Sequence, residues 1–466
     1  MQSHLNSLQA RDVAFYLHSF TDLAAHEAEG PHVIARGDGI YVFDDDGNRY
    51  LEATSGSSSA CLGFSEGRLV EAAARQMRKL PFYHVFAHKS HEPGIELAER
   101  LIGLAPVPMS KVLFANSGSE ANDIAIKLIW YYNNAIGRPK KKKIISRSLA
   151  YHGATIATAS LTGQADLHRD FDLPLPGFLH TDCPNYYRHG KPDETQEEFA
   201  TRCADSLERL ILSEGPETVA AFFAEPVMAS AGCILPPPTY FAKVQEILKK
   251  YDVIFVADEV ICGFGRTGNM FATETYRLEP DMITLAKPLG ASYLPISALM
   301  INDKVYRALL DQSRKLGVFG HGLTFGGHPV PAAVALETLR IYHERNIVDR
   351  VREMAPCFLG GLNQLSRHPL VGEARGVGLL GGLELVRDME TRELFQPEQR
   401  VPALVAKQAR RHGVLLRWSA HTVNLAPPLI IQQDQIYEMF AAIKEALDDA
   451  HCAISRRGCR GANCAA

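Results

Sequence analysis

The sequence predicts an α/β fold built on a largely parallel sheet with helices on both faces. Compact apolar runs recur at 111–115, 143–146, 220–224, 253–257 and 282–285. Most are separated by segments with room for a helix, the spacing of strands connected by helical crossovers. Amphipathic helical periods at 69–80 and 95–104 precede them.

Before these elements, 40–44 and 49–52 are short β-prone runs, and Asp46-Gly47-Asn48 between them has hairpin-turn chemistry. Beyond about 330, helical periods at 332–345, 403–411 and 435–450 alternate with short strands, consistent with a second, smaller domain. The last segment, 453–466, carries Cys459 and Cys464 among small and basic residues and is expected to be an unstructured tail.

Composition narrows the function. The chain of 466 residues is 46% hydrophobic and 22% charged, which excludes disordered, collagenous and coiled-coil classes. Its 49 basic and 53 acidic residues leave a net charge of -4, without the footprint of a nucleic-acid binder. The basic run Lys140 to Lys143 is expected to be a solvated loop leading into a strand. The apolar stretch 219–238 is broken by Glu225 and Pro226, so no membrane span is expected. Nine sparse cysteines form no CxxC pair, and Met1 to His4 show no basic stretch leading into an apolar run. Reduced thiols and a cytoplasmic location are therefore expected.

Four local patterns bear on chemistry. The run Asn116-Ser117-Gly118-Ser119-Glu120-Ala121-Asn122 follows a strand and opens a helix, whose unpaired amides would suit a phosphate. Asp258 ends the strand 253–257, where ligands of open α/β sheets bind. Lys287 leaves the apolar strand 282–286, where burial would lower its pKa toward neutrality and make it a nucleophile toward aldehydes. Tyr151 supplies an aromatic ring just after the strand 143–146. Taken singly, these patterns also read as a helix cap, a solvated acid and a lysine stem lying on apolar surface. Together they match the needs of pyridoxal 5'-phosphate: a phosphate cup, a carboxylate for the ring nitrogen, an amine for the aldehyde and a ring to stack upon. No metal site is expected. The literal GxGxxG at Gly263 to Gly268 runs into Asn269-Met270-Phe271 without opening a helix, so it is read as a flexible loop and not a nucleotide site.

With those motifs in place, the sequence resembles the class III (ω-type) aminotransferases of the fold-type I pyridoxal-phosphate enzymes, nearest the ω-amine:pyruvate branch. The matching runs are Asn116 to Ala121, Tyr151-His152-Gly153, Glu225-Pro226, Ala257 to Gly268, Thr284 to Lys287 and Leu323 to Pro329. The resemblance implies a large domain over 68–329 with a mostly parallel seven-stranded sheet. It also implies a small α+β domain from 1–67 and 330–452. Lys287 would be the Schiff-base lysine and proton shuttle. Asp258 would pair with the ring nitrogen, Tyr151 and Val260 would hold the two ring faces, and His152 and Glu225 would complete the cofactor network. Ser117, Gly118 and Ser119 would bind phosphate, with Thr324 of a second subunit, so a homodimer or tetramer is implied. Phe20, Ser58, Phe86, Ala231 and Arg417 would form the substrate pocket, with Arg417 pairing with the acceptor's carboxylate.

The implied reaction moves an amino group from an amine or ω-amino acid to a keto acid, pyruvate above all, in two half-reactions. An aminomutase, epimerase or decarboxylase of the same fold is the alternative. Three positions depart from the pattern. Ser58 stands where the branch usually has a bulky tryptophan, which should enlarge the pocket. Met228 stands where relatives often carry a polar residue, and Pro288 where they often carry glycine.

Overall fold

The computed structural model describes residues 7–462, with side chains described as far as Arg456. Seven strands form the central sheet: β1 (Lys111–Ala115), β2 (Lys143–Arg147), β3 (Phe178–Thr181), β4 (Val219–Ala224), β5 (Ile254–Asp258), β6 (Met282–Leu285) and β7 (Ser297–Ile301). Their spatial order is β1-β7-β6-β5-β4-β2-β3. β2 through β6 run parallel, and β7 alone is antiparallel, lying between β1 and β6. The predicted α/β sheet is therefore present.

β4 to β7 are buried along their whole length, as strands covered on both faces must be. Successive residues point to opposite faces. Phe223 packs with Ile124, Leu128 and Ile129 of the helix Gly118–Ala135. Its neighbour Phe222 packs on the other face, in the core that takes in Phe199 and Leu207 of the helix Gln196–Glu214.

The hairpin strands Tyr41–Asp44 and Arg49–Glu52 pair as expected, and Arg49–Glu52 also pairs in parallel with Val414–Leu415 near the other end of the chain. A further sheet orders Val371–Val377, Leu380–Leu385, Thr422–Leu425 and Arg417–Ser419, which brings Arg417 toward the central sheet's carboxyl edge. Among the described residues, no helix is long and apolar enough to cross a membrane.

Three expectations need correction. The last helix, Gln433–Ala462, continues into the segment read as a tail, with Ile454 packed on the core; residues 463–466 lie outside the described residues. The lysine run is not simply solvated. Lys141 is buried and donates at 2.8 Å to the carbonyl of Tyr251, which ends the helix Tyr240–Lys250. Lys142 donates to the Trp130 carbonyl at 2.9 Å and to Asn134 Oδ1 at 2.7 Å on the helix Gly118–Ala135, so both ammonium groups are tied to helices. The glycine-rich loop is buried, not flexible. Arg266, fully buried, donates to the carbonyls of Leu379 at 3.0 Å and Pro427 at 2.5 Å and so binds the loop to the C-terminal strands.

Candidate active site

The carboxyl ends of β1, β2, β4, β5 and β6 share one edge of the sheet, the edge where open α/β folds bind ligands. Each strand hands one element to that edge. After β1, Ser117 caps the helix Gly118–Ala135: its hydroxyl accepts from the Glu120 amide at 3.2 Å, and the Glu120 carboxylate accepts from the Ser117 amide at 3.0 Å and the Asn116 amide at 2.7 Å. This reciprocal cap leaves the first helical amides, Gly118 and Ser119, facing outward without helical partners. The Ser119 hydroxyl accepts from the Ala154 amide at 3.1 Å. Gly118 has no room for a side chain, because a Cβ there would lie 3.0 Å from Val260 Cγ1.

Asp258 ends β5 and is buried at the cavity wall. One of its oxygens accepts from Asn122 Nδ2 at 2.8 Å and lies 2.8 Å from His152 Nδ1; the other accepts from the Val260 amide at 3.1 Å. Glu225, after β4, accepts from the Tyr151 amide at 3.0 Å and from the fully buried guanidinium of Arg147 at 3.0 Å. Arg147 ends β2, so two strand ends are tied to each other and to the backbone of Tyr151.

Lys287 follows β6 with φ 38°, a left-handed conformation for a side-chain-bearing residue. That strain costs on the order of 1–3 kcal/mol and persists only because the surrounding structure enforces it. Burial pushes the Lys287 ammonium down to about 8, opposed by the charge of Asp258. The fall stops short of neutrality because that carboxylate favours the charged form.

These residues line one cavity of about 440 Å³ with Phe20, Ser57, Ser58, Gln164, Arg417 and Trp418 at its outer part. Arg417 hydrogen-bonds to the Ser57 hydroxyl. Ser58 is half-buried with φ 57°, on the tight turn Ser55–Ser58.

The chain matches the family description Aminotransferase class-III over residues 23–447. The chain belongs to the class-III aminotransferases. An omega transaminase from Pseudomonas jessenii in complex with PMP shares its fold at TM-score 0.95 and is 49% identical, covering 96% of this chain and 99% of that one. Gamma aminobutyrate transaminase 3, chloroplastic, of Solanum lycopersicum is 50% identical over 90% of this chain and 81% of its own. Vanillin aminotransferase of Capsicum chinense is 48% identical over 90% and 92%. The aminotransferase therefore transfers amino groups between small amines and keto acids with pyridoxal 5'-phosphate. The aminomutase, epimerase and decarboxylase alternative gains no support from these relatives.

The cavity fits that cofactor. His152 Nε2 and Asn122 Oδ1 are buried there without hydrogen-bond partners, an outward-facing helix terminus meets the phosphate's need, and a carboxylate and an amine lie on one wall. The cytoplasmic expectation does not stand. Relatives of comparable identity are chloroplastic or mitochondrial proteins. The reasoning failed because reduced thiols suit the reducing interior of an organelle as well as the cytosol; Met1 to His4, on which it also rested, lie outside the described residues.

The structure brings together Lys287, Asp258, Tyr151, His152, Glu225, Gly118, Ser119, Val260, Phe20, Ser58 and Arg417. It does not bring in Ser117, whose hydroxyl serves the helix cap, or Ala231, which packs on Ala150 and Met228 behind the cavity. Phe86 and Thr324 also stay outside. Phe86 lies over Gly322, where a Cβ would meet its ring at 2.4 Å, so both belong to a separate surface with Phe82 and Phe325. Arg147, Ser57 and Trp418 were given no role from the sequence, and Asn122 was read only as part of the phosphate run, without its bond to Asp258. Asn122 stands one helical turn beyond Gly118 and so on the cup's own face, the one local signal of its part in the site.

Proposed function

We propose that the aminotransferase carries nitrogen from bulky primary amines, those bearing an aromatic ring among them, to pyruvate, with Lys287 as its proton carrier. The observation that carries this reading is the convergence of Lys287 and Asp258 on one cavity whose outer wall has Ser58 in place of a large side chain. When bound, pyridoxal 5'-phosphate supplies an aldehyde and an electron-accepting ring. Lys287 Nζ would take the proton released by the donor's amine-bearing carbon and carry it within the cavity until it is returned. Asp258 would hold the cofactor's ring nitrogen in its protonated form, while Asn122 and His152 keep the carboxylate in register. Tyr151 and Val260 would hold the ring between them and Gly118 and Ser119 would hold the phosphate, while Glu225 fixes the backbone of Tyr151.

Arg417, drawn to the cavity mouth by Ser57, presents a fork to the carboxylate of the keto acid and swings out when the donor has none. Phe20 and Trp418 offer aromatic walls to a ring-bearing donor. A relative named for vanillin, an aldehyde that accepts nitrogen to become a ring-bearing primary amine, one named for γ-aminobutyrate, and an engineered omega transaminase variant for enantiopure bulky amines (49% identical, TM-score 0.95) support amine substrates of several sizes. Thr324 and Phe86 belong to the site of a second subunit in a homodimer, and the exposed patch of Phe82, Phe86 and Phe325 is the surface that pairing would cover. The large domain 68–329 and the small domain from 1–67 and 330–452 enclose the cavity between them.

A donor panel tests the reading, with pyruvate and 2-oxoglutarate as acceptors and kcat/KM as readout. Arylalkyl amines with pyruvate should lead; a preference for γ-aminobutyrate over every ring-bearing amine would replace the donor assignment.

A further inference from the structure

Ahead of the hairpin, the chain forms the helix Leu8–Phe15 and the helix Leu23–Glu29 on either side of a short connection. Three side chains from three parts of this segment meet: Asp12 from the first helix, His18 from the connection and His26 from the second helix. Asp12 Oδ1 lies 2.9 Å from His18 Nε2 and 3.0 Å from His26 Nε2. The two imidazole rings are 4.3 Å apart between centroids. All three ligand atoms lie within 4.8 Å of one another, and all three side chains are partly buried.

Two histidines that merely needed hydrogen bonds could use separate acceptors. Here both turn Nε2 to the one carboxylate of Asp12, His18 to both oxygens at 2.9 and 3.0 Å and His26 to Oδ1, so two imidazoles and a carboxylate gather their ligand atoms in one place. Two imidazoles and a carboxylate are the ligand set of a three-coordinate protein site for zinc, with water in the fourth position. Metal–ligand bonds of roughly 2.0–2.1 Å in a tetrahedron set ligand atoms about 3.3 Å apart, a few tenths of an ångström beyond the two distances from Asp12 to the imidazoles.

We propose that Asp12, His18 and His26 bind one divalent transition-metal ion of the zinc type and so brace the segment that carries Phe20. Phe20 lies between the two histidines in the chain, has φ 51° and forms part of the cavity's outer wall. The outer helix is already held to the body by Asp22 with Arg400 at 2.6 Å and Glu29 with Lys407 at 3.2 Å. Exposed pairs of that kind contribute little, and a metal would tie the connection itself.

The test is a calorimetric titration of the holoenzyme with Zn²⁺ in a buffer free of phosphate and amines, under reducing conditions. One ion per chain with micromolar affinity is expected. His26→Ala and, to spare the packing, His26→Gln should each weaken it at least tenfold. His412, which meets Glu445 and Asp449 at the surface, is the obvious competing site, and His412→Ala should leave the titration unchanged. Co²⁺ in place of Zn²⁺ should give the visible bands of a tetrahedral site, and the ion should slow hydrogen exchange over residues 16–22. No one-per-chain binding up to 1 mM Zn²⁺ would overturn the proposal, as would binding indifferent to both His26 variants or abolished by His412→Ala. Unchanged exchange over 16–22 with the ion bound would remove the bracing role.

Discussion

Val260 occupies the space that a side chain at Gly118 would need: a Cβ on Gly118 would sit 3.0 Å from Val260 Cγ1 and 3.1 Å from Cγ2. The phosphate cup and the residue proposed to cover one ring face are therefore one packed unit. Gly118→Ala should push Val260 into the ring's place, with an overpacking cost of about 1–3 kcal/mol. We expect cofactor affinity to fall at least tenfold in a spectrophotometric titration of the apoenzyme, with the melting temperature of the apoenzyme nearly unchanged.

Asn122→Ala removes one donor from Asp258 and leaves the His152 carbonyl without its side-chain partner. A hydrogen bond to a charged group contributes about 1.5–3 kcal/mol, or roughly 10- to 100-fold. That factor should be lost in kcat while KM for the amine stays nearly constant, as expected for a group acting through Asp258 and not on the donor.

The lowered pKa of Lys287, about 8, has a signed consequence for the apoenzyme. Its folded value lies below the unfolded one, so the burial penalty is fully present below pH 8 and fades as pH rises through the unfolded value near 10.5. Lys287→Met should therefore raise the apoenzyme's melting temperature at pH 7, and the gain should vanish by about pH 10.5. Cofactor capture by the wild-type apoenzyme should quicken with an inflection near pH 8.

Ser58→Trp should restrict the outer cavity. Ring-bearing amines should lose at least tenfold in kcat/KM, while small aliphatic amines keep theirs. Arg417→Ala should instead raise KM for pyruvate, about 10- to 100-fold for loss of a bidentate charged contact, without lowering kcat for carboxylate-free donors.

Much of this architecture was legible because burial on both faces leaves an unbroken apolar run. Lys111–Ala115 and Met282–Leu285 were found at their observed bounds for that reason. β3 was not singled out: as an edge strand with His180 and Thr181 among its four residues, it carries little apolar signal. β7 also escaped notice, although all five of its residues are buried. Lys141 and Arg266 were misread because their acceptors are carbonyls far away in the chain, which no local pattern reveals. In the site, Asp258 and Lys287 stood out because a charge at the end of an apolar strand is unusual. Ser57 did not, since its part depends on Arg417, 360 residues away.

The central claim is that the amine of Lys287 captures the cofactor's aldehyde. Borohydride reduction of the holoenzyme followed by peptide mapping tests it directly. A single pyridoxyl-modified lysine at position 287 is the predicted result; modification of another lysine, or none in an active preparation, would contradict it.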